Sequence, residues 1–227
     1  MIKRCVTVLV ICSVAIIAAV GSLNAWQKNR AILDRGMAQK HRDRQKQWIA
    51  SEMISLKQGL TSSIKFYSVS NTAELLREFS GMREIKKLVF NSSEVTDDCM
   101  ELVAGLPELQ ELVLYCSSPR VSNRGLGFLK EHPTLTVLRL SNTGVTDDGL
   151  EALESIPQLE YLVLYQFNHA NRTVPLTDSA VVQLKKLHLL KRLTIGGGWL
   201  SKTSIEDLNN TMNCRIFEKN DSDDDEW

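Results

Sequence analysis

The chain has few of the residues from which catalytic and metal sites are built. Its 227 residues include four histidines and five cysteines, and no two cysteines have the CxxC spacing of a zinc or redox site. No histidine has a partner at the spacing of a metal site or a catalytic triad. The glycine-rich stretch 196–200 lacks the following Lys-Ser or Lys-Thr of a phosphate-binding loop. We therefore predict that the protein is not an enzyme and has no catalytic, cofactor-binding or metal-binding residues.

Net charge is absent overall, but the charged residues are unevenly distributed. The formal net charge is zero. Residues 1–60 contain ten lysines and arginines against three acidic residues, whereas residues 61–227 contain 17 against 24. The acidic part shows no basic patch with interleaved aromatic residues, so we do not predict nucleic-acid binding. The basic part suits a position near a membrane surface.

The one long apolar run lies at the N-terminus. Residues 5–27 contain no charged side chain, and about 20 apolar residues in a helix cross the hydrocarbon layer of a membrane. Trp26, Lys28 and Arg30 follow, as expected at a membrane interface. We predict a transmembrane helix at residues 1–25, in a single-pass membrane protein.

A cleaved secretory signal is the alternative for this run. Lys3 and Arg4 would form its basic start, and residues 19–21 offer a small-x-small cleavage site. The protein would then be secreted. The orientation of an uncleaved anchor stays open, because basic residues flank the run on both sides.

Two further segments flank the central part of the chain. Residues 26–60 are basic with spaced apolar positions, which predicts a helical stalk or N-terminal cap. Residues 218–227 contain the string DSDDDEW, which predicts an acidic disordered tail.

The central part repeats one pattern. An apolar-x-x-apolar-x-apolar string begins at positions 61, 85, 109, 135, 159, 190 and 211, of which the first and last copies are weak. Its two-residue steps predict a strand, and the three-residue apolar steps that follow each copy predict a helix. Strands that alternate with helices predict an α/β fold with a parallel sheet.

Each predicted helix begins with the same kind of residues. A serine or threonine stands at each start and can accept an orphan backbone N–H. In three of these helices aspartates follow in the first turn, where the helix dipole favours negative charge, at Asp97 and Asp98, Asp147 and Asp148, and Asp178. The residues at the predicted starts are Thr96, Ser122, Thr146, Thr177 and Thr203 or Ser204.

These repeats resemble leucine-rich repeats of the bacterial and F-box-associated class. Residues 135–157, LTVLRLSNTGVTDDGLEALESIP, follow the consensus of that class almost throughout, and VTDDCMELVAGLPELQELVLYC at residues 95–116 is a second good copy. The resemblance implies a right-handed solenoid with a parallel sheet on its concave face and helices on its convex face. It covers about six repeats at residues 61–217. No F-box is recognisable before the repeats, so a ubiquitin-ligase adaptor role is disfavoured.

Aromatic and arginine side chains recur on one predicted face of the sheet. Strand alternation places three columns of residues there, and protein interfaces are enriched in tyrosine and arginine around an apolar centre. Tyrosine also suits any strand, so this pattern has a purely structural explanation as well. The predicted partner-binding residues are Tyr67, Tyr115, Arg139, Tyr161, Val163, Tyr165 and Arg192.

The sequence leads to a functional hypothesis with one alternative. A membrane-tethered repeat module would bind a protein partner through its concave face. The alternative is a structural or envelope-surface scaffold, in which the repeats mainly stabilise a membrane assembly. The two differ in whether substitutions on the sheet face abolish a specific contact while the fold survives. The partner and the oligomeric state stay open.

Overall fold

The structure is a computed structural model that describes residue 30 and residues 37–115, 120–166 and 176–219. The predicted transmembrane helix lies outside these residues, as do residues 220–227 of the predicted tail. In the described part of the chain, no helix is long and apolar enough to span a membrane. The chain forms two compact units, Met1–Ser51 and Glu52–Trp227. Residues 37–57 are helical and are called α1.

The second unit alternates strands with short helices. Within its described residues, the strands are β1 (Ser63–Tyr67), β2 (Lys87–Asn91), β3 (Glu111–Tyr115), β4 (Val137–Ser141), β5 (Tyr161–Tyr165), β6 (Arg192–Gly196) and β7 (Arg215–Lys219). The helices are α2 (Thr72–Arg77), α3 (Asp97–Ala104), α4 (Asn123–Gly127), α5 (Glu151–Glu154), which follows a 3₁₀ turn at Asp147–Leu150, α6 (Ala180–Leu184) and α7 (Lys202–Thr211).

The strands form a single parallel sheet in chain order, from β1 to β7. Each strand is paired in register with the next over all five residues, so that Leu88 of β2 stands beside Leu112 of β3 and Ile64 of β1. The predicted α/β class and the repeating parallel sheet are therefore confirmed.

The core lies on the helix-covered side of the sheet. The second and fourth residues of β2, Leu88 and Phe90, are fully buried, as are Met100 and Val103 of α3. Phe90 stacks on Phe66 of the preceding strand, with ring centroids 5.1 Å apart. The buried residues of one repeat thus pack against those of the neighbouring repeat, and each buried large apolar side chain contributes about 1.5–3 kcal/mol.

The last strand differs from its sequence-based position. The weak copy at position 211 places Arg215 beside Thr194, but β7 pairs Arg215 with Arg192 and Phe217 with Thr194. The prediction was therefore wrong by two residues. The reason is the length of α7, which continues to Thr211 over ten residues, so the strand begins later. The slip is an even number of residues, which leaves each side chain on its expected face.

The helix starts agree with the prediction in three repeats and differ in others. Thr96, Ser122 and Thr146 are N-cap residues as expected, but only Ser122 accepts a backbone N–H, from Arg124 at 3.2 Å. The N-cap of α7 is Ser201, which precedes the expected Thr203 or Ser204 and accepts the N–H of Ser204. In α6 the N-cap is Ser179, two residues after Thr177.

A polar residue beside each helix start connects one repeat to the next. The Asp97 carboxylate accepts the backbone N–H of Ser122 at 2.8 Å and its hydroxyl at 2.6 Å. Asp147 accepts the same two groups of Thr177. In the intervening repeat, Asn123 accepts the N–H of Thr146 and donates to its hydroxyl. We call this series, which ends with Asp178 accepting the Ser201 N–H, the cap ladder.

The two aspartates of the VTDD motif consequently have different roles. Asp97 makes two inter-repeat hydrogen bonds, whereas Asp98 is exposed in the first turn of α3. We predict that Asp97→Ala lowers the free energy of unfolding by about 1–3 kcal/mol, because the partly buried backbone N–H and hydroxyl of Ser122 lose their acceptor. Asp98→Ala should cost at most about 1 kcal/mol, through the helix dipole alone. Urea unfolding followed by circular dichroism measures both.

A conservative variant separates this role from a general charge effect. Asp97→Asn should keep most of the stability, since Asn123 makes the equivalent contacts one repeat later. Equal losses for the alanine variants of Asp97 and Asp98 would contradict the cap ladder.

Several strands are followed directly by a residue with left-handed backbone geometry. Ser68, Ser92 and Asn142, which directly follow β1, β2 and β4, have φ of 51°, 50° and 55°. Gly197 follows β6 with φ of 90° and is the position where the stretch at 196–200 leaves the strand. A Cβ at Gly197 would overlap the backbone carbonyl oxygen of Gln166. This turn therefore requires glycine for its conformation and for space.

We predict that Gly197→Ala lowers the free energy of unfolding by about 3 kcal/mol, from left-handed strain together with displacement of the Gln166 backbone. Gly198→Ala is the matched control. Gly198 has φ of 65° but open space around it, so its alanine variant should lose only about 1 kcal/mol. Thermal unfolding of the two variants tests this difference, and similar melting temperatures would show that the close approach to Gln166 is unimportant.

Candidate functional site

The sheet has one face that the helices do not cover. The first, third and fifth residues of the strands lie on it, and many are half-buried or exposed, whereas the second and fourth residues are buried in most strands. We call this surface the open face. Because the strands are in register, its side chains form three columns that run across the sheet from β1 to β7.

All the predicted partner-binding residues lie on the open face, but their accessibility differs. Tyr67 is 60% exposed, whereas Tyr165 is 2% and Val163 is 9% exposed. Tyr165 and Val163 can therefore form only the floor of a binding surface. The register places Arg139 beside Val163 and Tyr161 beside Arg192. Tyr67 and Tyr115 belong to a separate group near the other end of the sheet.

Arg192 is held between two aromatic rings. Its guanidinium carbon lies 5.7 Å from the ring centroid of Tyr161 on one neighbouring strand and 5.1 Å from that of Phe217 on the other. Phe217 is 44% exposed, and the sequence analysis placed it in the wrong column. The length of the apolar pattern of α7 is the signal that could have corrected this. Cation–π contact at such sites contributes about 0.5–1 kcal/mol and restricts the arginine.

The middle of the open face contains an ion-pair cluster. The Glu111 carboxylate lies 2.9 Å from Lys87 Nζ and 3.4 Å from Arg139 Nε, on the two adjacent strands. Arg139 Nε has no hydrogen-bond partner, so its contact with Glu111 is electrostatic only. Lys87 and Arg139 thus pair with the same carboxylate, which leaves this region with one unbalanced positive charge.

A shallow depression of about 280 Å³ lies over the first three strands. Val89 and Val113 are its apolar members, with Asn91 beside them. Its remaining lining residues are Lys65, Tyr67, Lys87 and Tyr115. Tyr67 and Tyr115 are predicted partner-binding residues, and the structure places the two lysines, the two valines and Asn91 around them.

Metal-binding clusters are absent from the ranges that the structure describes, where no three histidine, cysteine or acidic residues come close enough to hold a metal ion. His132 is 3% exposed, and its Nε2 lies 3.1 Å from the Leu106 carbonyl oxygen. Its position is occupied by Leu106, Ile156 and Leu187 in other repeats. It is therefore a core residue.

Burial of His132 makes folding sensitive to acid. Burial lowers the pKa of His132 below 6.5, and the hydrogen bond to Leu106 opposes this shift only in part. Below about pH 6.5, His132 binds a proton in the unfolded chain but resists protonation in the folded one. The stability that neutral His132 contributes is therefore present above about pH 6.5 and is lost as the pH falls.

We predict that His132→Leu reduces the loss of unfolding free energy between about pH 7.5 and pH 5.5, because the variant binds no proton there in either state. Denaturant unfolding at the two pH values measures it. His188→Leu is the control, since His188 is exposed. An unchanged pH dependence in the His132 variant would exclude this histidine as its source.

Comparison with known proteins adds little to this geometry. No protein-family model matches the chain, and no curated protein matches it. One similar solved structure is that of a Bacteroides fragilis protein, with a TM-score of 0.34 and 14% sequence identity, covering 73% of this chain and 67% of that one. At this level the likeness supports no argument about fold or function. The α/β class, with a parallel sheet of repeating units, follows from the strand order and register of the chain itself.

Proposed function

We propose that this protein is a leucine-rich repeat module that binds a protein partner through its open face. The observation that supports the proposal is the arrangement of exposed aromatic and arginine side chains on a surface of adjacent, paired strands. Such a surface is rigid before binding, so association orders few groups. Arginine and tyrosine are also the residues in which binding energy most often concentrates.

The handedness and curvature of the repeat array are part of the same proposal. Seven parallel strands in chain order within the described residues are compatible with a leucine-rich solenoid. Connections between adjacent parallel strands are nearly always right-handed. Packed helices are about 8–10 Å apart, compared with about 4.8 Å between paired strands, so the helical side of the array is the longer one and the sheet curves inward. We infer a right-handed solenoid whose open face is concave, which would surround a partner on more than one side.

We also propose that the module is held at a membrane by the apolar segment at 5–27, which has the length and flanking residues of a single-pass anchor. Cleavage of this segment would make the protein a secreted binder instead. A scaffold role is the other candidate, and it differs because it does not depend on the open face.

Site-specific photo-crosslinking in the native host tests the proposal. A photoreactive phenylalanine analogue at Thr194, on the open face, should crosslink one partner. The same analogue at Val182, which is 62% exposed on α6, is the matched control and should not. Crosslinks to the same proteins from both positions, or from neither, would favour the scaffold role.

Affinity measurements with the crosslinked partner then locate the binding energy. We predict that Tyr161→Ala and Phe217→Ala each weaken binding about tenfold or more, because they remove exposed rings that also position Arg192. Leu189→Ala, at a 62% exposed position away from the sheet, should leave the affinity unchanged. Circular dichroism verifies that each variant is folded.

A further inference from the structure

The open face has a charge opposite to that of the rest of the repeat unit. Among the described side chains on it, five are basic and one, Glu111, is acidic. The other residues from 61 to 227 include 12 basic and 23 acidic ones. The sequence showed no basic patch because these residues are spaced more than 20 positions apart, and the sheet register brings them together. The basic residues are Lys65, Lys87, Arg139, Arg192 and Arg215.

The basic residues of the open face that lack an acidic neighbour lie at its two ends. In the middle, Lys87 and Arg139 share Glu111, so that one negative charge stands against two positive ones. In the described part of the chain, no carboxylate lies within 4 Å of the charged groups of Lys65, Arg192 or Arg215. Lys65 is on β1, whereas Arg192 and Arg215 are neighbours on β6 and β7. The open face therefore has basic residues without an ion-pair partner at each end, and a middle whose two basic residues are paired with Glu111.

Each end also has a feature that suits a peptide. The Arg192 guanidinium lies over the rings of Tyr161 and Phe217, and its planar set of N–H donors matches the geometry of a carboxylate. Lys65 borders the depression over β1 to β3, whose apolar members are Val89 and Val113. One end thus offers an oriented arginine, and the other a lysine beside space for an apolar or aromatic side chain.

The spacing of the two ends sets the length of the ligand. Five strand spacings of about 4.8 Å separate β1 from β6, or about 24 Å along the sheet. An extended polypeptide rises about 3.3 Å per residue, so about seven residues cover this distance.

From these observations we propose that the partner contacts the open face with an extended acidic segment. Its carboxylates at the two ends, about seven residues apart, would bind Lys65 and the Arg192–Arg215 pair, and an apolar or aromatic side chain would enter the depression. This inference rests on the proposed function and adds the chemistry of the partner. The carboxylates of the rest of the unit repel an acidic ligand elsewhere, which directs it to this face.

A polypeptide fits these features better than a nucleic acid. A nucleic-acid strand has a phosphate at every nucleotide, and would bring phosphates against Glu111 in the middle of the face. A polypeptide can place neutral residues there. The net charge of residues 61–227, with 17 basic against 24 acidic residues, also opposes binding of a long polyanion.

Fluorescence anisotropy with defined probes tests the inference on the full chain in nonionic detergent. The main probe is a labelled peptide of about nine residues with two glutamates at each end and a tyrosine next to one pair, and its glutamine counterpart is the control. A second control moves the glutamate pairs about three residues closer together. The acidic probe should bind at least about tenfold more tightly than either control, with affinity falling as salt rises.

Charge-removing variants locate the binding. Lys65→Gln and Arg192→Gln should each weaken binding of the acidic probe about tenfold. Lys130→Gln and Lys202→Gln remove the same charge from exposed residues outside the sheet, and should change the affinity less than about twofold. Equal weakening by all four variants, or equal binding of the glutamine probe, would overturn the inference.

Two further outcomes also decide the matter. Tighter binding of a short oligothymidine than of the acidic peptide would show that the face selects phosphates instead. The partner identified by crosslinking separates this inference from the proposed function. If Tyr161→Ala abolishes its binding while Lys65→Gln and Arg192→Gln leave it unchanged, the open face is the binding site but an acidic segment is not what it recognises.

Discussion

Packing between neighbouring repeats is the interaction on which the rest of the structure depends. Strand β2 buries its second and fourth side chains, and those need the side chains of the next repeat as partners. Phe66 illustrates this, since its ring contacts Phe79 of its own repeat and stacks on Phe90 of the next. Stability in such a chain is a sum of interfaces between neighbours. The order of the strands, their register and the columns of the open face all follow from this stacking.

The cap ladder is the polar counterpart of this apolar packing. Along the edge where helices begin, Asp97 and Asn123 bind the N-cap residues of the following repeats, and Asp147 binds Thr177, two residues before the N-cap of α6. Backbone donors in these turns, of which those of Ser122 and Thr146 are partly buried, thereby gain an acceptor. The apolar contacts tolerate small shifts, whereas these hydrogen bonds require a defined position. The cap ladder therefore restricts the position of each repeat relative to the next more tightly than the packing of leucines does.

Much of this architecture could be predicted from the sequence, because it depends on local periodicity. The apolar spacing located β2 to β6, and strand alternation placed residues such as Arg139 and Tyr161 on the correct face. The role of Asp97 could not be predicted in the same way. A carboxylate in the first turn of a helix satisfies the dipole argument equally well whether or not its oxygens reach the next repeat. Only the distance to Ser122 distinguishes the two.

The candidate site was less predictable, because it depends on contacts between distant positions. Arg192 and Phe217 are 25 residues apart, and their contact requires the exact start of β7, which the weak last repeat left misplaced by two residues. The burial of Tyr165 depends likewise on its neighbours in space and not on its own strand pattern. The membrane anchor, by contrast, is a matter of composition and length, and was inferred from the sequence alone.

The long repeat between β5 and β6 shows where this architecture accepts extra chain. Tyr161 and Arg192 are 31 positions apart, compared with 24 between Lys87 and Glu111, yet both pairs are in register. The Asp147–Thr177 hydrogen bonds form as well across this repeat. The additional residues therefore lie between the strand and the helix in sequence, and both the strand pairing and the cap ladder are kept. Because closure entropy grows only slowly with loop length, this junction can diversify in evolution, or receive an inserted sequence in engineering, while the sheet on either side stays the same.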